Sequence, residues 1–581
     1  MKIHYVLLVS LCVALGWACA NQASPADPGA ELPDAGGGAN SLGNDGGGVS
    51  SKPAYQPNPD AFPAQPIFAT STTPQDAASR FGKPAERVQA AGGGCLIEPQ
   101  DGSLLPFNWL RPKFRFTSTG QQLFEIRLSA ASQKNNLVVY TDQNSWIMDK
   151  SAWLAIAGGV RDDLVTVDVW GVGGTSQAAT LLTRSHFTVA LVEAPGSIVY
   201  WTIVGGRSAN QGVLKSFSIG DESVAPALQA QDVKSLVGGY PGGAGTAATT
   251  GRFPCVGCHS ATPDGEFFGF AGDALAGSFP MGLASAKPGT VGQAPSFLTA
   301  PAAKALKQDL GMLTFSKAHW TGGDHLAVST LAEASTRQLV WIDLEASAEG
   351  VGKAFGTIAR TNDARGAWSP SWSHDGTRVV YTSANVTSAG TGFSNNLDLE
   401  ADIRFVPFSN KQGGPSLPLS GAALPGRQEF VPAFSPDDQL VAFNVAAANT
   451  LPYDAPSSEI HVVSANGSSA STRLSANDPP GCINSPRSPG ITNSYPKWAP
   501  EASRLGSKTY YWLTFSSKRT DLREGQSNPD GPTSQLYVTP VVVEGATIIS
   551  YPAIYLWNQP IAESNHTPAW EFVRVPPVIP R

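Results

Sequence analysis

Trp372-Ser373-His374-Asp375-Gly376 stands just before Arg378-Val379-Val380-Tyr381, and the phrase returns twice: as Phe434-Ser435-Pro436-Asp437-Asp438 before Leu440-Val441-Ala442-Phe443, and as Thr262-Pro263-Asp264-Gly265 before Phe267-Phe268-Gly269-Phe270. Pro presets the first turn angle, Asp bonds back to the backbone two residues on, and Gly accepts a left-handed conformation, so each unit is a hairpin tip followed by a strand. Weaker copies are Trp320-Thr321-Gly322-Gly323-Asp324 before Leu326-Ala327-Val328, and Trp498-Ala499-Pro500 before the apolar run 510–515. The turns begin at 262, 321, 373, 435 and 499, which gives spacings of 59, 52, 62 and 64 residues. Each interval has room for four strands, with Arg404-Phe405-Val406, Ile460-His461-Val462-Val463 and Gln535-Leu536-Tyr537-Val538 as later strands of successive units. Units of this length predict a β-propeller over 251–581. A partial copy, Pro568-Ala569-Trp570, offers a closing strand and brings the expected number of blades to six.

These units resemble the TolB-like propeller family, whose repeat carries a W-S-P-D-G core. The resemblance covers 251–581 and implies architecture rather than a role, because the segment before the ring does not read as the α/β domain of that family. From Cys95 to Gly220 there are seven short alternating or β-branched runs, 113–117, 123–128, 137–140, 164–170, 186–191, 198–202 and 213–219, separated by Gly, Asn and Ser. They predict a β-sandwich of the immunoglobulin or fibronectin type over 95–220. A Gly- and Ala-rich stretch, 221–250, reads as a linker to the ring.

Composition agrees with an all-β chain. Of 581 residues 60 are Gly and 46 Pro, which argues against a helical bundle, and 41% are hydrophobic, enough for a large core. A net charge of -7 leaves no basic face for a phosphate backbone, so nucleic acid is not an expected partner.

Lys2 precedes the apolar run from Tyr5 to Leu15, which is followed by small residues: the layout of an export signal over 1–20. Gly16-Trp17-Ala18-Cys19 resembles a bacterial lipobox, with Gly16 where Leu is usual, and Ala18-Cys19-Ala20 also fits ordinary signal cleavage. The first reading makes Cys19 a lipidation site and gives the chain a membrane contact through an N-terminal anchor. Residues 21–94 read as a tether; from Ala20 to Asp60 there is no Ile, Phe, Trp or Met. The expected location is the bacterial envelope, in the periplasm or on the outer membrane.

Phe253-Pro254-Cys255-Val256-Gly257-Cys258-His259 contains C-x-x-C-H, the attachment signature of haem c. Two thiols three positions apart can each join one haem vinyl group, and the adjacent imidazole then falls under the iron. Given 6 Cys and 8 His, chance would produce the motif in on the order of one chain in a thousand. With Cys255 and Cys258 so used and Cys12 and Cys19 in the signal region, Cys95 and Cys482 remain for a disulfide. A Cys255–Cys258 bridge and, more remotely, a zinc site are the alternatives.

Overlaying the repeats puts His259 where later units have Pro370, Pro432, Pro496 and Pro568, on the innermost strand, so the iron is expected near one mouth of the central channel. His566, His319 and Met281 are the candidates for the distal position. His374, Asp264, Asp375 and Asp437 read as turn residues and not as acid or base catalysts. No G-x-S-x-G, H-E-x-x-H, P-loop or dinucleotide fingerprint occurs. The sequence therefore points to an exported haem c propeller that transfers electrons to a redox partner protein or small molecule. Alternatives are a non-redox scaffold that binds protein or glycan, and a peroxidase-like haem enzyme. A propeller with C-x-x-C-H is similar to the haem-bearing large subunit of hydrazine synthase; that likeness rests on one pentapeptide and a shared architecture, and no reaction follows from it.

Overall fold

A computed structural model describes residues 55–89, 93–173, 176–204, 211–233, 256–272, 281–333, 336–385, 400–450, 455–484, 486–519 and 533–573. The export signal, Cys19, the first part of the tether, the stretch 234–250 of the linker, and Cys255 lie outside the described residues.

The hairpin tips form as their side chains require. Ser373 Oγ donates to Asp375 Oδ1 at 2.7 Å while accepting from the Arg378 N–H at 3.0 Å, and Asp375 Oδ1 accepts from the Thr377 N–H at 2.9 Å. Ser435 and Asp437 repeat the pattern, as do Thr262 and Asp264. Gly265 and Gly376 hold φ of 68° and 76°, and Asp438 takes the same left-handed position at 58°. Each tip leads an inner strand into the second strand of its blade, such as Gly366–Trp372 into Arg378–Ala384 and Arg427–Phe434 into Leu440–Ala447.

Six sheets stand around one axis. Three are four-stranded meanders or near to it: Gly366–Trp372 onward, Arg427–Phe434 onward, and Asn493–Trp498 with Lys508–Ser517, Gln535–Glu544 and Thr547–Ser550. Another begins at His259–Ala261 and runs through Phe267–Ala271 to Met281–Ser285. In the next blade the inner run is only a pair of bridges, Leu310 to Leu331 and Thr314 to Val328, against Leu326–Glu333. The expected turn at Trp320 is instead a short helix, Lys317–Gly322, ended by Gly323 at φ 80°. With Gly323 in the place of the Asp two residues after the Ser or Thr, that segment lacks the side-chain acceptor that closes the other tips.

The sixth blade relocates a boundary. Its inner strand is Ser564–Glu571, which pairs antiparallel with Ser197–Val204, then Gln211–Ser218 and Ala225–Gln229. The last two strands expected in the sandwich, and part of the expected linker, therefore belong to the ring. The last described strand is thus paired with a segment more than 360 residues earlier, which joins the two ends of the ring in one blade.

What remains of the sandwich is a six-stranded sheet centred on Leu123–Ser129 and Leu164–Gly173, facing a three-stranded sheet of Leu96–Glu98, Lys113–Phe116 and Ser145–Ile147. Its antiparallel centre carries two short parallel edge strands, Ser103–Leu105 and Ile67–Phe68; the latter draws residues of the expected tether into the sheet. Phe114, Phe116, Phe124 and Phe187 interlock between the layers, with Phe116 edge-on to Phe124 at 4.9 Å. This core continues into the ring through Ile198, Tyr200, Trp512 and Trp570. Ring indoles also reach the other unit's backbone, Trp512 to the Glu193 carbonyl and Trp557 to that of Arg111. Cys95 and Cys482 are bonded, with Cα atoms 5.4 Å apart. Among the described residues no helix is long and apolar enough to cross a membrane.

Candidate functional site

The inner strands share one irregularity. Ser369, Val431, Tyr495 and Thr567 have φ of 44°, 51°, 58° and 50°, and each precedes a proline. Pairing slips beside them, between Trp368 and Ser371, Phe430 and Ala433, Ser494 and Lys497, and, across from Thr567, between Val199 and Trp201. A left-handed non-glycine residue costs on the order of 1–3 kcal/mol, and a β-bulge is where a strand can hold one. Proline is tolerated next to it because the inner edge has no further strand needing an N–H. In the remaining well-formed inner strand that position is taken by His259, directly after Cys258.

His259 is 2% exposed. One ring nitrogen, Nε2, lies a long 3.4 Å from the Val199 carbonyl, and Nδ1 has no hydrogen-bond partner. Burial lowers its pKa to about 4, so the imidazole is neutral at pH 7. His566 is on the adjacent inner strand Ser564–Glu571, equally buried, with Nδ1 2.8 Å from Thr567 Oγ1 and Trp201 edge-on at 4.4 Å. Its pKa is lowered to about 3, first by burial and then by Lys518 and His259. Two neutral imidazoles thus occupy neighbouring strands, and a charge on His259 would disfavour one on His566.

The other distal candidates are not brought to His259. Met281 is in the third strand of the blade, opposite Ala271, and packs into the core with Phe268 and Leu283. His319 sits on the short helix, 2.6 Å from Asp324 and stacked on Trp372 at 4.4 Å. His374, read as a turn residue, reaches Asp438 in the tip of the next blade at 2.9 Å.

The donor chemistry at Cys258 and His259 fits a haem c: a buried thiol position followed by a neutral imidazole with an uncommitted ring nitrogen. In space the fit is tighter. Cys258 is 1% exposed, in a cluster with Val199, Trp201, Phe268 and Phe270, so a porphyrin on His259 requires this packing to open. Among the described residues no three His, Cys, Asp or Glu side chains converge to hold a bare metal ion.

The inner strands enclose an axial cavity of about 110 Å³ that touches all six blades, His259 among its lining. Lys497 and Glu571 also line it, and sequence reasoning did not single them out. The available signal was a charge at 497 where the corresponding positions are Ser260, Ser371, Ala433 and Ala569. Burial lowers the Lys497 pKa and raises that of Glu571 to about 7.

No protein-family model matches the chain, and no curated protein does. Solved structures similar to it include a TolB-type protein of Agrobacterium tumefaciens, 14% identical, covering 64% of this chain and 98% of that one at a TM-score of 0.30. Hydrazine synthase of Kuenenia stuttgartiensis is also 14% identical, covering 52% and 73% with a TM-score of 0.28. A quinoprotein alcohol dehydrogenase-like protein of Bacteroides thetaiotaomicron is 7% identical, covering 81% and 96% at 0.24. These superpositions are loose, and the propeller assignment rests on the strand pairing described above.

Proposed function

We propose that the chain is an exported, TolB-like propeller that carries a covalent haem c and transfers electrons, with Cys255 and Cys258 as attachment points and His259 as the axial ligand. The observation that supports this most is the His259 imidazole itself: neutral, wholly buried, with a ring nitrogen uncommitted, and next to Cys258. When bound, the group would supply a one-electron iron couple. The protein's part is to keep His259 unprotonated by burial, and to exclude water with Phe268 and Trp201. On the neighbouring strand His566 is the distal candidate, being neutral and electrostatically coupled to His259. The reading places the protein in the bacterial envelope, tethered through Cys19, with a redox protein or small molecule as its electron partner.

The close packing of Cys258 and His259 favours a second reading, a non-redox scaffold in which these residues fill a blade seam. A haem-stained denaturing gel separates the two. Protein made with a c-type maturation system is expected to stain, Cys258→Ala to lose most of the signal, and His259→Ala to lose the low-spin absorption spectrum. An unstained wild-type band, or normal haem content in the double variant of Cys255 and Cys258, contradicts the redox reading.

A further inference from the structure

The axial cavity is rich in donors that the fold does not use. Ser371 Oγ accepts from the Phe434 N–H at 3.3 Å and Thr314 Oγ1 accepts from the Trp372 N–H at 3.1 Å, which fixes both oxygens and leaves both hydroxyl hydrogens to donate. Among the described residues neither hydroxyl donates to a protein acceptor, and the Lys497 ammonium makes no hydrogen bond and feels only the charge of Glu571. The carboxyl of Glu571 shares the cavity and is the acidic group whose charge Lys497 senses, yet the two form no salt bridge. An ammonium that lines a cavity with no hydrogen-bonding partner of its own gains a charge-assisted bond when an anion comes to it. The rest of the wall is mixed: Trp372, Trp498 and Leu313 supply apolar surface beside the polar Ser260, Ser369 and Tyr495.

We infer that the axial cavity binds a short-chain monocarboxylate, its head on the Lys497 ammonium and the hydroxyls of Thr314 and Ser371, its alkyl tail against Trp372 and Trp498. A cavity of about 110 Å³ suits roughly four to six heavy atoms, since about 150 Å³ admits benzene. Glu571 shapes the head-group end: in its neutral form it donates to the second carboxylate oxygen, and in its charged form it repels the ligand. The inference does not depend on iron, so it is tested on the Cys258→Ala protein as well as on wild type.

The test is calorimetric titration of the full chain with sodium butyrate, with butyramide and butylammonium chloride as neutral and cationic probes of the same length. Saturable butyrate binding is expected, with both other probes weaker by about tenfold or more, the weight of a charge-assisted hydrogen bond. Lys497→Met, which removes the charge and keeps the stem, is expected to lower butyrate affinity by about tenfold or more at an unchanged thermal midpoint. Ser371→Ala serves as an independent variant and should weaken binding severalfold. Equal binding of butyrate and butyramide, undiminished affinity in both variants, or displacement of butyrate by equimolar chloride would each overturn the inference.

Discussion

At the scale of single residues, burial decides protonation, and the consequences for pH have opposite signs. Burial lowers the pKa of His461 from 6.5 to about 4, as it does for His259, and that of His566 to about 3. Below pH 6.5 the unfolded chain takes up a proton that the folded imidazole refuses until about pH 4, so stability falls as the pH drops through that window. Glu429 and Glu571, raised from 4.5 to about 7, act the other way and remove stability as the pH rises from 4.5 to 7. His461 lies away from both sites, beside Ser471 and Phe443, and isolates the histidine effect. His461→Gln is expected to flatten the thermal midpoint against pH between 6.5 and 4, by up to about 1.4 kcal/mol per unit of pH. Parallel profiles for the variant and wild type would show that the ring is protonated in the folded state. The identities of His259 and Cys258 were legible in the sequence because C-x-x-C-H is a local pattern. Lys497 and Glu571 were not, since a charge on an inner strand gains meaning only when six such strands share an axis.

At the scale of elements, what could be read in advance was what is held by neighbours in the chain. The Ser373-to-Asp375 and Ser435-to-Asp437 tips are closed by bonds spanning two to five residues, and they form where the repeat placed them. The bridge run before Leu326–Glu333 and the helix Lys317–Gly322 escaped because that repeat has Gly323 where the other tips have the closing Asp, leaving tertiary packing to set the local structure. Gly265 illustrates both levels. Its φ of 68° is the turn's own requirement, while a Cβ there would lie 2.0 Å from the Phe572 carbonyl oxygen of the closing strand's extension. Backbone cannot yield as a side chain can, so Gly265→Ala is expected to cost about 2–3 kcal/mol, measured by denaturant unfolding. A change under about 0.5 kcal/mol would mean that this seam between the first and last segments is not formed.

At the scale of the whole molecule, the chain is tied together by contacts that are remote in sequence. Ser197–Val204 pairs with Ser564–Glu571, and Cys95 is bonded across 387 residues to Cys482. This is why the boundary between sandwich and ring could not be read from composition: 197–229 looks like any other set of alternating strands, and only its distant partner reveals the blade it serves. Replacing both Cys95 and Cys482 by Ala is expected to lower stability by about 2–4 kcal/mol while leaving the circular dichroism unchanged, because the shared core around Phe114, Tyr200 and Trp570 stays in place. Unfolding in two separate transitions would instead show that the disulfide alone couples the units.

The central claim concerns covalent iron at His259, and the intact mass of the mature protein, purified from a host with active c-type maturation, tests it most directly. The account predicts the polypeptide mass plus one haem, lost on replacing Cys255 and Cys258. A mass equal to the polypeptide alone contradicts it.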